Sequence, residues 1–556
     1  MVNTRSFFYW NKNEIPYNTN RLILQDEYMK NLKNIKIERI WYGWVWIAKL
    51  EDGKKLLIKW WALPWSIVDV NITKKHSDYL EWHIAKIHEY DKSFLDNEIF
   101  CPHFFSKSPL NPLFENEGTL ANNTPSLSKR GTGGDLSASK IGCGGCKRQM
   151  ISYDKQLELK EWIVQDCFRK LENKPTFLPI IWSPKEKWYR NKIEFSFWVY
   201  ISAKEWRDDR RNLWFHKQWE FSKIIDIDNC GLISNKMNQV FEYLKKLCFE
   251  SWLPTFDQKF HRWFFRHLVI REWQNTNQLL INLNVFPLLD DDTDWKQKRE
   301  NLKNQLKTDE FVQKNISTFV ITYNSWLADI VRWQDITTET LRWDGYIYEE
   351  FNFPKENSDE IVSSKFRISP FSFFQTNTHW AEKLFGTWAQ SIWEIKWKIL
   401  DLYCGAGSIG ISFLKLGIGN ELLWIEIVPE AIQDAWYNAE INWVKDKCQF
   451  IASAAEKILL PDTDYPLIKG GRGDFLTDIW LVIVDPPREW LHTNVINRIA
   501  KLKQTNNFKL LYISCNPTTM ARDIELFDQL WFKVKSLQPL DMFPHTHHIE
   551  TIWILL

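Results

Sequence analysis

Two motifs in the C-terminal part of the chain contain residue types that could transfer a chemical group. The sequence KILDLYCGAGSIG at 398–410 reads as an apolar strand, a glycine-rich loop and the start of a helix. Gly405 and Gly407 permit a tight turn in which backbone N–H groups approach a nucleotide-like ligand. The sequence ISCNPTTMARD at 513–523 reads as a strand that ends by presenting Cys515, a candidate nucleophile. Together the motifs indicate covalent methyl transfer to a base.

Two acidic residues end further apolar strands of the same region. Glu426 ends ELLWIEI about 20 residues after Gly407, where a carboxylate can accept hydrogen bonds from both ribose hydroxyls. Asp485 ends the strand in IWLVIVDPPR and precedes two prolines. A glycine loop alone would equally suit a dinucleotide-binding turn, and Asp485 alone could be a helix cap. The complete series resembles the class I S-adenosylmethionine (SAM) methyltransferases.

A cysteine and a carboxylate suit methylation of uracil at C5. Uracil C5 becomes nucleophilic after a thiolate adds to C6, and it can then attack a sulfonium methyl group. A base must afterwards remove the C5 proton so that the thiolate can leave. Cys515 could be the thiolate, and Glu550 in DMFPHTHHIETIWIL could be the base. The alternatives are a small buried apolar Cys515 and a merely solvated Glu550.

The motifs SCNPTTMARD, DPPR, DLYCGAGSIG, PHTHHIET and FFQTNT (373–378) closely resemble those of the RNA uracil-5-methyltransferase family. The resemblance covers most of residues 30–556 and implies that Cys515 is the nucleophile and Glu550 the base. It implies SAM contacts at Gln375, Tyr403, Ser408, Glu426 and Asp485.

The resemblance is incomplete at one SAM position and excludes one other class of enzyme. A family contact that is usually Asp or Asn falls on Ala454. DNA amino-methyltransferases have an aromatic residue after Asp-Pro-Pro, whereas this chain has Arg488.

Four cysteines could form a metal centre. Cys143 and Cys146 in CGGC lie within reach of one metal, and Cys101 and Cys230 could complete four thiolate ligands. Four thiolates suit a 4Fe–4S cluster, with zinc as the alternative. Cluster-bearing members of the family have a short spacer between the first two cysteines. An insertion at 105–141 would explain the longer spacer here, because closure entropy grows slowly with loop length.

The order of patterns predicts four regions. Residues 1–30 are a polar extension, and residues 31–75 resemble the small RNA-binding β-barrel called TRAM. Residues 76–370 mix helices and strands in a central α+β region, which the resemblance makes part of an RNA-holding surface. Residues 371–556 alternate strands and helices, which predicts an α/β doubly wound sheet of the class I methyltransferase type.

Two segments interrupt this order. Residues 105–141 are rich in Ser, Asn, Gly and Pro, which predicts a disordered loop. Part of it, LSKRGTGGDL, is similar to LIKGGRGDFL at 467–476. We interpret both as copies of one inserted repeat, with coincidence between turn-rich loops as the alternative.

Composition excludes several classes of protein. The net charge of +1 gives no global basic field, although Lys and Arg exceed Asp and Glu at 185–217. The N-terminus has no apolar signal core, and no apolar run is long enough to cross a membrane. Nine scattered cysteines favour a reducing compartment. We therefore expect a cytoplasmic protein, and a monomer.

Tryptophan is abundant where glycine would be expected. At about 7% glycine a chain of this length would contain roughly 39, yet it has 20, together with 33 tryptophans. Examples fall in apparent turns at Trp273, Trp424, Trp443, Trp490 and within 41–70. We hypothesise that the source organism reads UGA as glycine and that the translation shows tryptophan. The alternative is a truly tryptophan-rich protein that stacks on RNA.

These interpretations together predict SAM-dependent methylation of uracil C5 in RNA. The TRAM-like barrel and the cysteine set favour 23S rRNA as the substrate over tRNA. The alternatives are a tRNA uracil-5-methyltransferase and a non-catalytic RNA-binding relic.

Overall fold

A computed structural model describes most of the chain in two compact units, which meet in sequence between Ser93 and Phe94. The described residues are 31–50, 53–58, 63–95, 100–101, 143–199, 211–217, 220–225, 227, 229–255, 264–287, 293–325, 336–354, 360–391, 398–458, 476–487 and 491–555. The extension 1–30, the insertion 105–141 and all but the last residue of 467–476 lie outside these ranges, as do Arg488 and Trp490.

The first unit is a six-stranded sheet with the order β1-β5-β6-β4-β3-β2. Its strands are β1 (Asn31–Lys36), β2 (Arg39–Trp41), β3 (Val45–Lys49), β4 (Lys55–Ile58), β5 (Ile67–Lys75) and β6 (Tyr79–Glu89). In β5 the alternating Val68 and Val70 are fully buried, as period-two patterning requires of a strand with one covered face. The sheet continues through β6, beyond residue 75, where the sequence analysis ended this region. Its assignment to TRAM stays a prediction.

The second unit begins with a mixed α+β region. Its elements are α1 (Tyr153–Cys167), β7 (Thr176–Phe177), β8 (Lys192–Val199), β9 (Arg211–Lys217), β10 (Glu220–Ile225), α2 (Asn235–Glu250), β11 (Phe265–Glu272), β12 (Leu279–Val285), α3 (Thr293–Thr308), α4 (Glu310–Asn315), β13 (Thr318–Asn324), β14 (Ile336–Arg342), β15 (Ile347–Pro354) and β16 (Ile361–Ile368). Seven strands form a sheet with the order β10-β9-β8-β11-β12-β13-β14, and β15 pairs with β16. Every residue of β11 and β12 is buried, because these central strands are covered on both faces.

The rest of the second unit alternates helices and strands. Its elements are α5 (Thr378–Ser391), β17 (Lys398–Leu402), α6 (Ser408–Lys415), β18 (Glu421–Glu426), α7 (Pro429–Ile441), β19 (Cys448–Ala452), α8 (Ala455–Ile458), β20 (Ile479–Val484), α9 (Thr493–Thr505), β21 (Lys509–Ser514), α10 (Pro517–Gln529), β22 (Ser536–Leu540) and β23 (Glu550–Leu555). Short 3₁₀ helices lie at Lys92–Phe94 and Lys445–Lys447. Among the helices described, none is long and apolar enough to cross a membrane.

The second large sheet has the order β19-β18-β17-β20-β21-β23-β22-β7. Strands β17 to β21 pair in parallel, and β23 is inserted antiparallel between β21 and β22. This is the doubly wound sheet of the class I methyltransferases, and it confirms the predicted fold class. The edge strand β7 pairs in parallel with β22. The sheet therefore takes a strand from residues that the sequence analysis assigned to the central region.

Tryptophan is over-represented among described residues with a left-handed backbone. Twelve non-glycine residues there have positive φ, and seven are Trp44, Trp65, Trp188, Trp252, Trp343, Trp443 and Trp531. Glycine adopts this conformation readily and tryptophan rarely does. The sequence analysis placed Trp273 and Trp424 in apparent turns, but both are buried and neither has a positive φ. Trp424 lies within β18. Glycine at these positions in the native protein stays a prediction.

Three helices that connect strands of the second large sheet have the same type of C-terminal ending. After α6, Gly417 has φ 80°, and the N–H groups of Gly417 and Ile418 donate back to the last helical turn at 3.1 and 2.8 Å. This is the Schellman ending, which favours glycine at the left-handed residue. Trp443 after α7 and Trp531 after α10 occupy that same position with the same pair of bonds, and their side chains are 88% and 89% exposed.

Candidate active site

Strand pairing aligns three predicted SAM-contacting residues at one edge of the sheet. Strand β17 pairs with β18 on one side and with β20 on the other, and both paired segments end at the same level. The next residues along the three strands are Tyr403, Glu426 and Asp485. They therefore lie side by side at the carboxyl edge, where strand order reverses and doubly wound sheets bind ligands.

The glycine-rich loop after β17 turns sharply into α6. Tyr403, Gly405 and Gly407 all have a left-handed backbone, with φ of 64°, 55° and 77°. A side-chain carbon at Gly405 would meet nothing within 4 Å, so the loop faces open space there. The predicted contact Ser408 is the first residue of α6, with its backbone N–H at the positive end of the helix dipole.

Glu426 is tied to this loop through its carboxylate. One oxygen accepts the Gly405 N–H at 3.1 Å, and the other accepts the N–H groups of Ile427 and Val428 at 2.8 and 2.9 Å. The side chain is therefore held in a fixed orientation beside the glycine-rich loop, as a ribose-binding acid must be.

Two neighbouring carboxyl groups lie at the base of the site. Burial raises the pKa of Asp485 to about 7. Burial also raises the pKa of Asp401 well above its usual range, with a further contribution from Asp485. Asp401 accepts a hydrogen bond from Trp424 Nε1 at 3.2 Å. The sequence analysis did not select Asp401, although an acid inside the apolar strand KILDL is an available signal.

Gln375 lies in the loop before α5, and Asn191 holds that loop. The buried Asn191 amide donates to the Gln375 carbonyl at 2.9 Å and to Thr378 Oγ1 at 3.0 Å. Thr378 Oγ1 in turn donates to Glu349 Oε2 at 2.7 Å, and burial raises the pKa of Glu349 to about 7. Asn191 and Glu349 were missed, since nothing local in YRNK or YEEF indicates a partner so far along the chain.

Cys515 and Glu550 are brought together by antiparallel pairing of β21 with β23. Ser514 lies opposite Thr551, so Cys515 and Glu550 are the next facing positions beyond this pair. Cys515 immediately precedes α10, whose N-cap Asn516 accepts the N–H groups of Thr518 and Thr519. The two predicted catalytic residues therefore share one end of the sheet, the end that carries Asp485.

The four predicted metal ligands gather in one buried place. Cys101, Cys143, Cys146 and Cys230 are each at most 8% exposed. A hydrogen bond from the Cys146 thiol to Cys101, together with burial and the nearby Cys143 and Cys230, raises the pKa of the Cys146 thiol. Gln149 joins two ligand segments: it accepts the Cys101 N–H at 3.1 Å and donates to Cys146 Sγ at 3.5 Å.

These thiols do not have the spacing of a bound metal site. Across the described part of the chain, no group of three or more His, Cys, Asp or Glu side chains is arranged to hold a metal ion. Burial raises the pKa of Cys143 to about 12 and that of Cys230 to about 11, so without a bound metal these two thiols keep their protons at neutral pH. Metals bind cysteine as the thiolate. Protonated thiols that share a buried region therefore need not lie at the distances that metal ligands have.

Ala454, the position that departs from the family, follows Ser453 after β19 and is half-buried. The Ser453 N–H donates to the Glu426 carbonyl at 3.0 Å, so the neighbour of Ala454 is bonded to the residue predicted to bind the ribose.

Comparison with known proteins assigns the chain to a family. The model of the tRNA (uracil-5-)-methyltransferase family matches residues 152–556. An uncharacterized RNA methyltransferase of Caldanaerobacter subterraneus is 32% identical over 74% of this chain and 82% of its own length. Another, of Bacteroides thetaiotaomicron, is 28% identical over 92% of this chain and 98% of its own length.

A solved structure has a similar fold over most of the chain. The Pyrococcus abyssi tRNA (uracil-54, C5)-methyltransferase, in complex with S-adenosyl-L-homocysteine, matches with a TM-score of 0.61 at 22% identity. The match covers 94% of this chain and 99% of that one. The chain thus belongs to the tRNA (uracil-5-)-methyltransferase family of RNA methyltransferases.

Proposed function

We propose that this protein uses SAM to methylate C5 of uracil in RNA. The observation that carries the proposal is the pairing of β21 with β23, which sets Cys515 and Glu550 at facing positions, at the same carboxyl edge of the sheet as the glycine-rich loop that follows β17. A nucleophile and a base at the sheet edge that also carries a nucleotide-type loop are the groups that this reaction needs.

SAM would be held by Gln375, Tyr403, Ser408, Glu426 and Asp485, with Gly405 and Gly407 shaping the loop. The left-handed glycines, the open space at Gly405 and the fixed Glu426 carboxylate fit a nucleoside-bearing ligand. The solved relative from Pyrococcus abyssi contains S-adenosyl-L-homocysteine. When bound, SAM supplies an electrophilic methyl group.

The residues of the chain carry the remaining steps. The Cys515 thiolate would add to uracil C6, and the electron pair that reaches C5 would form the bond to the methyl group as the bond between that methyl group and the sulfonium sulfur breaks, with S-adenosyl-L-homocysteine as the leaving group. Glu550 then takes the C5 proton, the C5–C6 double bond re-forms, and the C6–S bond breaks to release the thiolate. The target uridine must leave its stack for this chemistry, which costs a few kcal/mol and favours single-stranded RNA.

We propose 23S rRNA as the substrate, with tRNA as the alternative. The N-terminal sheet and the four buried cysteines support the rRNA assignment through the family resemblance stated above. The Pyrococcus abyssi relative acts on tRNA, which supports the alternative.

The test compares both RNAs in one assay. Purified enzyme is incubated with tritiated SAM and either unmodified 23S rRNA or tRNA, and labelled 5-methyluridine is quantified. Cys515→Ala should abolish labelling and keep SAM affinity.

Cys167→Ala is the matched control, because Cys167 is a half-buried thiol at the end of α1 whose neighbour is Thr518 Oγ1 at 3.6 Å. Binding of RNA with no methylation by the wild type would instead support the non-catalytic relic.

We also propose that Cys101, Cys143, Cys146 and Cys230 hold a 4Fe–4S cluster. Their shared burial supports this, whereas the spacing of the thiols in the structure does not. Protein purified without oxygen should be brown and contain iron, and Cys143→Ser should lose both properties. Colourless protein that contains zinc would favour the structural-zinc alternative.

A further inference from the structure

The connection from β22 to β23 leads directly to Glu550, and its backbone is held at four successive carbonyls. Each carbonyl accepts a hydrogen bond from a different part of the chain. The bonds are Asn377 Nδ2 to Met542 O at 3.1 Å, Lys160 Nζ to Phe543 O at 3.1 Å, Tyr189 Oη to Pro544 O at 3.0 Å, and Arg148 N to His545 O at 3.1 Å. We call residues 541–546 the clamped loop.

Side chains of α1 hold both halves of the clamped loop. Lys160 Nζ lies 2.6 Å from Asp541 Oδ1, and both side chains are fully buried. Gln156 Oε1 accepts the His545 N–H at 2.9 Å, and its Nε2 lies 3.0 Å from His545 Nδ1. A buried ion pair contributes little net stability compared with apolar packing, but it strongly specifies one geometry in some proteins.

The conformation that is held is an unusual one. His545 has φ 63°, a left-handed backbone that histidine adopts infrequently. Such a residue persists when its surroundings determine it, and here the Gln156 amide, the Arg148 N–H and the Phe100 ring all contact His545. The loop is therefore fixed by its contacts rather than by its own backbone preference.

The clamped loop is connected to the catalytic strand at both ends. Asp541 follows Leu540, which pairs with Glu550, and only 547–549 separate the clamped loop from Glu550 along the chain. A shift of the loop would therefore move Glu550 relative to Cys515, which directly follows the neighbouring strand β21.

We propose that the clamped loop positions Glu550 for removal of the C5 proton. This inference rests on the proposed function, in which Glu550 is the base. Tyr189 and Gln156 are then positioning residues: neither is required for methyl transfer, and both set the rate at which the covalent adduct is resolved.

One anchor of the loop comes from the segment that carries the cysteines. Arg148 lies two residues after Cys146, and the Phe100 ring, next to Cys101, packs 4.9 Å from the His545 ring. The two segments that carry Cys101 and Cys146 thus also contact the clamped loop.

Tyr189→Phe tests the inference with the smallest change, because it removes only the hydroxyl that binds Pro544 O. Enzyme, RNA and SAM are mixed, turnover is quenched in denaturant, and the fraction of RNA covalently attached to protein is measured. Losing one buried hydrogen bond should raise this fraction roughly three- to tenfold, while the SAM Kd stays constant. Gln156→Met, which keeps the side-chain length, should act in the same direction.

Tyr243→Phe is the matched control, since its hydroxyl donates to Asp309 Oδ2 at 2.7 Å before α4 and not to the clamped loop. It should leave the adduct fraction at the wild-type value. Glu550→Gln serves as the reference for a blocked elimination. If Glu550→Gln accumulates adduct but Tyr189→Phe and Gln156→Met do not, the positioning role is wrong. If Glu550→Gln also accumulates none, the proposed base itself is wrong.

Discussion

The two predicted catalytic residues lie at the ends of two neighbouring strands. Cys515 directly follows β21 and Glu550 begins β23, and the pairing of Ser514 with Thr551 makes them neighbours. The thiol stands before the N-terminus of α10, where the helix dipole favours negative charge. The predicted nucleophile is thus set beside the predicted base.

Glu550→Gln should separate methyl transfer from product release. Glutamine cannot take the C5 proton, so methylated RNA should remain bound to Cys515 as a denaturant-resistant, gel-shifted adduct. Denaturing gels of reactions with tritiated SAM measure this adduct. Glu525→Gln, at an exposed position on α10, is the control and should release product normally. Free methylated RNA formed at the wild-type rate by Glu550→Gln would show that another group is the base.

SAM affinity should rise with pH through the pKa of Asp485. Burial raises that pKa to about 7 from the usual 3.8, so the neutral form predominates below about 7. The stability that this protonation contributes is fully present below pH 3.8 and is lost as the pH rises from 3.8 to about 7. A ligand that donates to the carboxylate binds the ionised form, so the Kd should fall by up to about tenfold per pH unit below the pKa and then level off. Calorimetry at several pH values measures this. Asp485→Asn should bind weakly with a flat profile, and an unchanged slope in that variant would assign the dependence to another group.

Helix ends are the elements on which the tryptophan hypothesis can be tested. Gly417, Trp443 and Trp531 occupy equivalent left-handed positions after α6, α7 and α10. Two of the three therefore carry a large, almost fully exposed aromatic side chain in a conformation that suits glycine.

Trp443→Gly and Trp531→Gly should each stabilise the tryptophan-containing protein by about 1 kcal/mol, because a left-handed residue with a side chain is strained by about that amount. Urea unfolding of the purified variants measures the free energy. Trp553→Gly is the opposite control: this side chain is fully buried against Phe527, and its loss should destabilise by about 3–5 kcal/mol. Destabilisation by both helix-end variants would contradict the hypothesis.

Protein isolated from the source organism should contain glycine at these helix ends if UGA encodes glycine there. Peptide mass spectrometry across positions 443 and 531 reads the residue directly. Tryptophan masses at both positions would establish the tryptophan-rich alternative.

At the scale of the whole molecule, the first unit should contribute RNA affinity and no chemistry. Lys74 and Lys75 at the end of β5 are exposed, and such side chains can neutralise phosphates. Removing residues 1–93 should raise the KM for RNA strongly, make binding less dependent on salt, and leave the SAM Kd unchanged. Steady-state assays at several salt concentrations measure this. An unaltered KM for the natural RNA would remove the unit from substrate binding.

Sequence motifs predicted the methyltransferase sheet well because each motif is local. A strand, a turn and the residue at the strand end lie within a short window, so the sequence alone could assign Tyr403, Glu426 and Asp485 to strand ends. The sheet order then confirmed that fold class. The site roles given to the residues stay predictions that the experiments above address.

Contacts between distant segments could not be predicted from the sequence. The pairing of β7 with β22, the support of Gln375 by Asn191 and the clamped loop all join positions far apart in the chain. Nothing in a single local pattern specifies such a partner, because burial and hydrogen bonding are settled by tertiary packing. For the same reason the sequence analysis ended the N-terminal barrel region at residue 75, whereas in the structure β6 extends the sheet to Glu89.

The insertion of β23 between β21 and β22 has a consequence for how the chain folds during synthesis. When β21 and β22 have left the ribosome, the position between them is still empty, and two apolar strand edges face solvent. The bonds from Gln156 to His545 also join residues 389 positions apart. The Gln156 side chain therefore has no partner at His545 until the last part of the chain has been synthesised. Such non-local closure slows folding and exposes aggregation-prone surface. We therefore expect the nascent second unit to depend on chaperones until β23 fills the sheet.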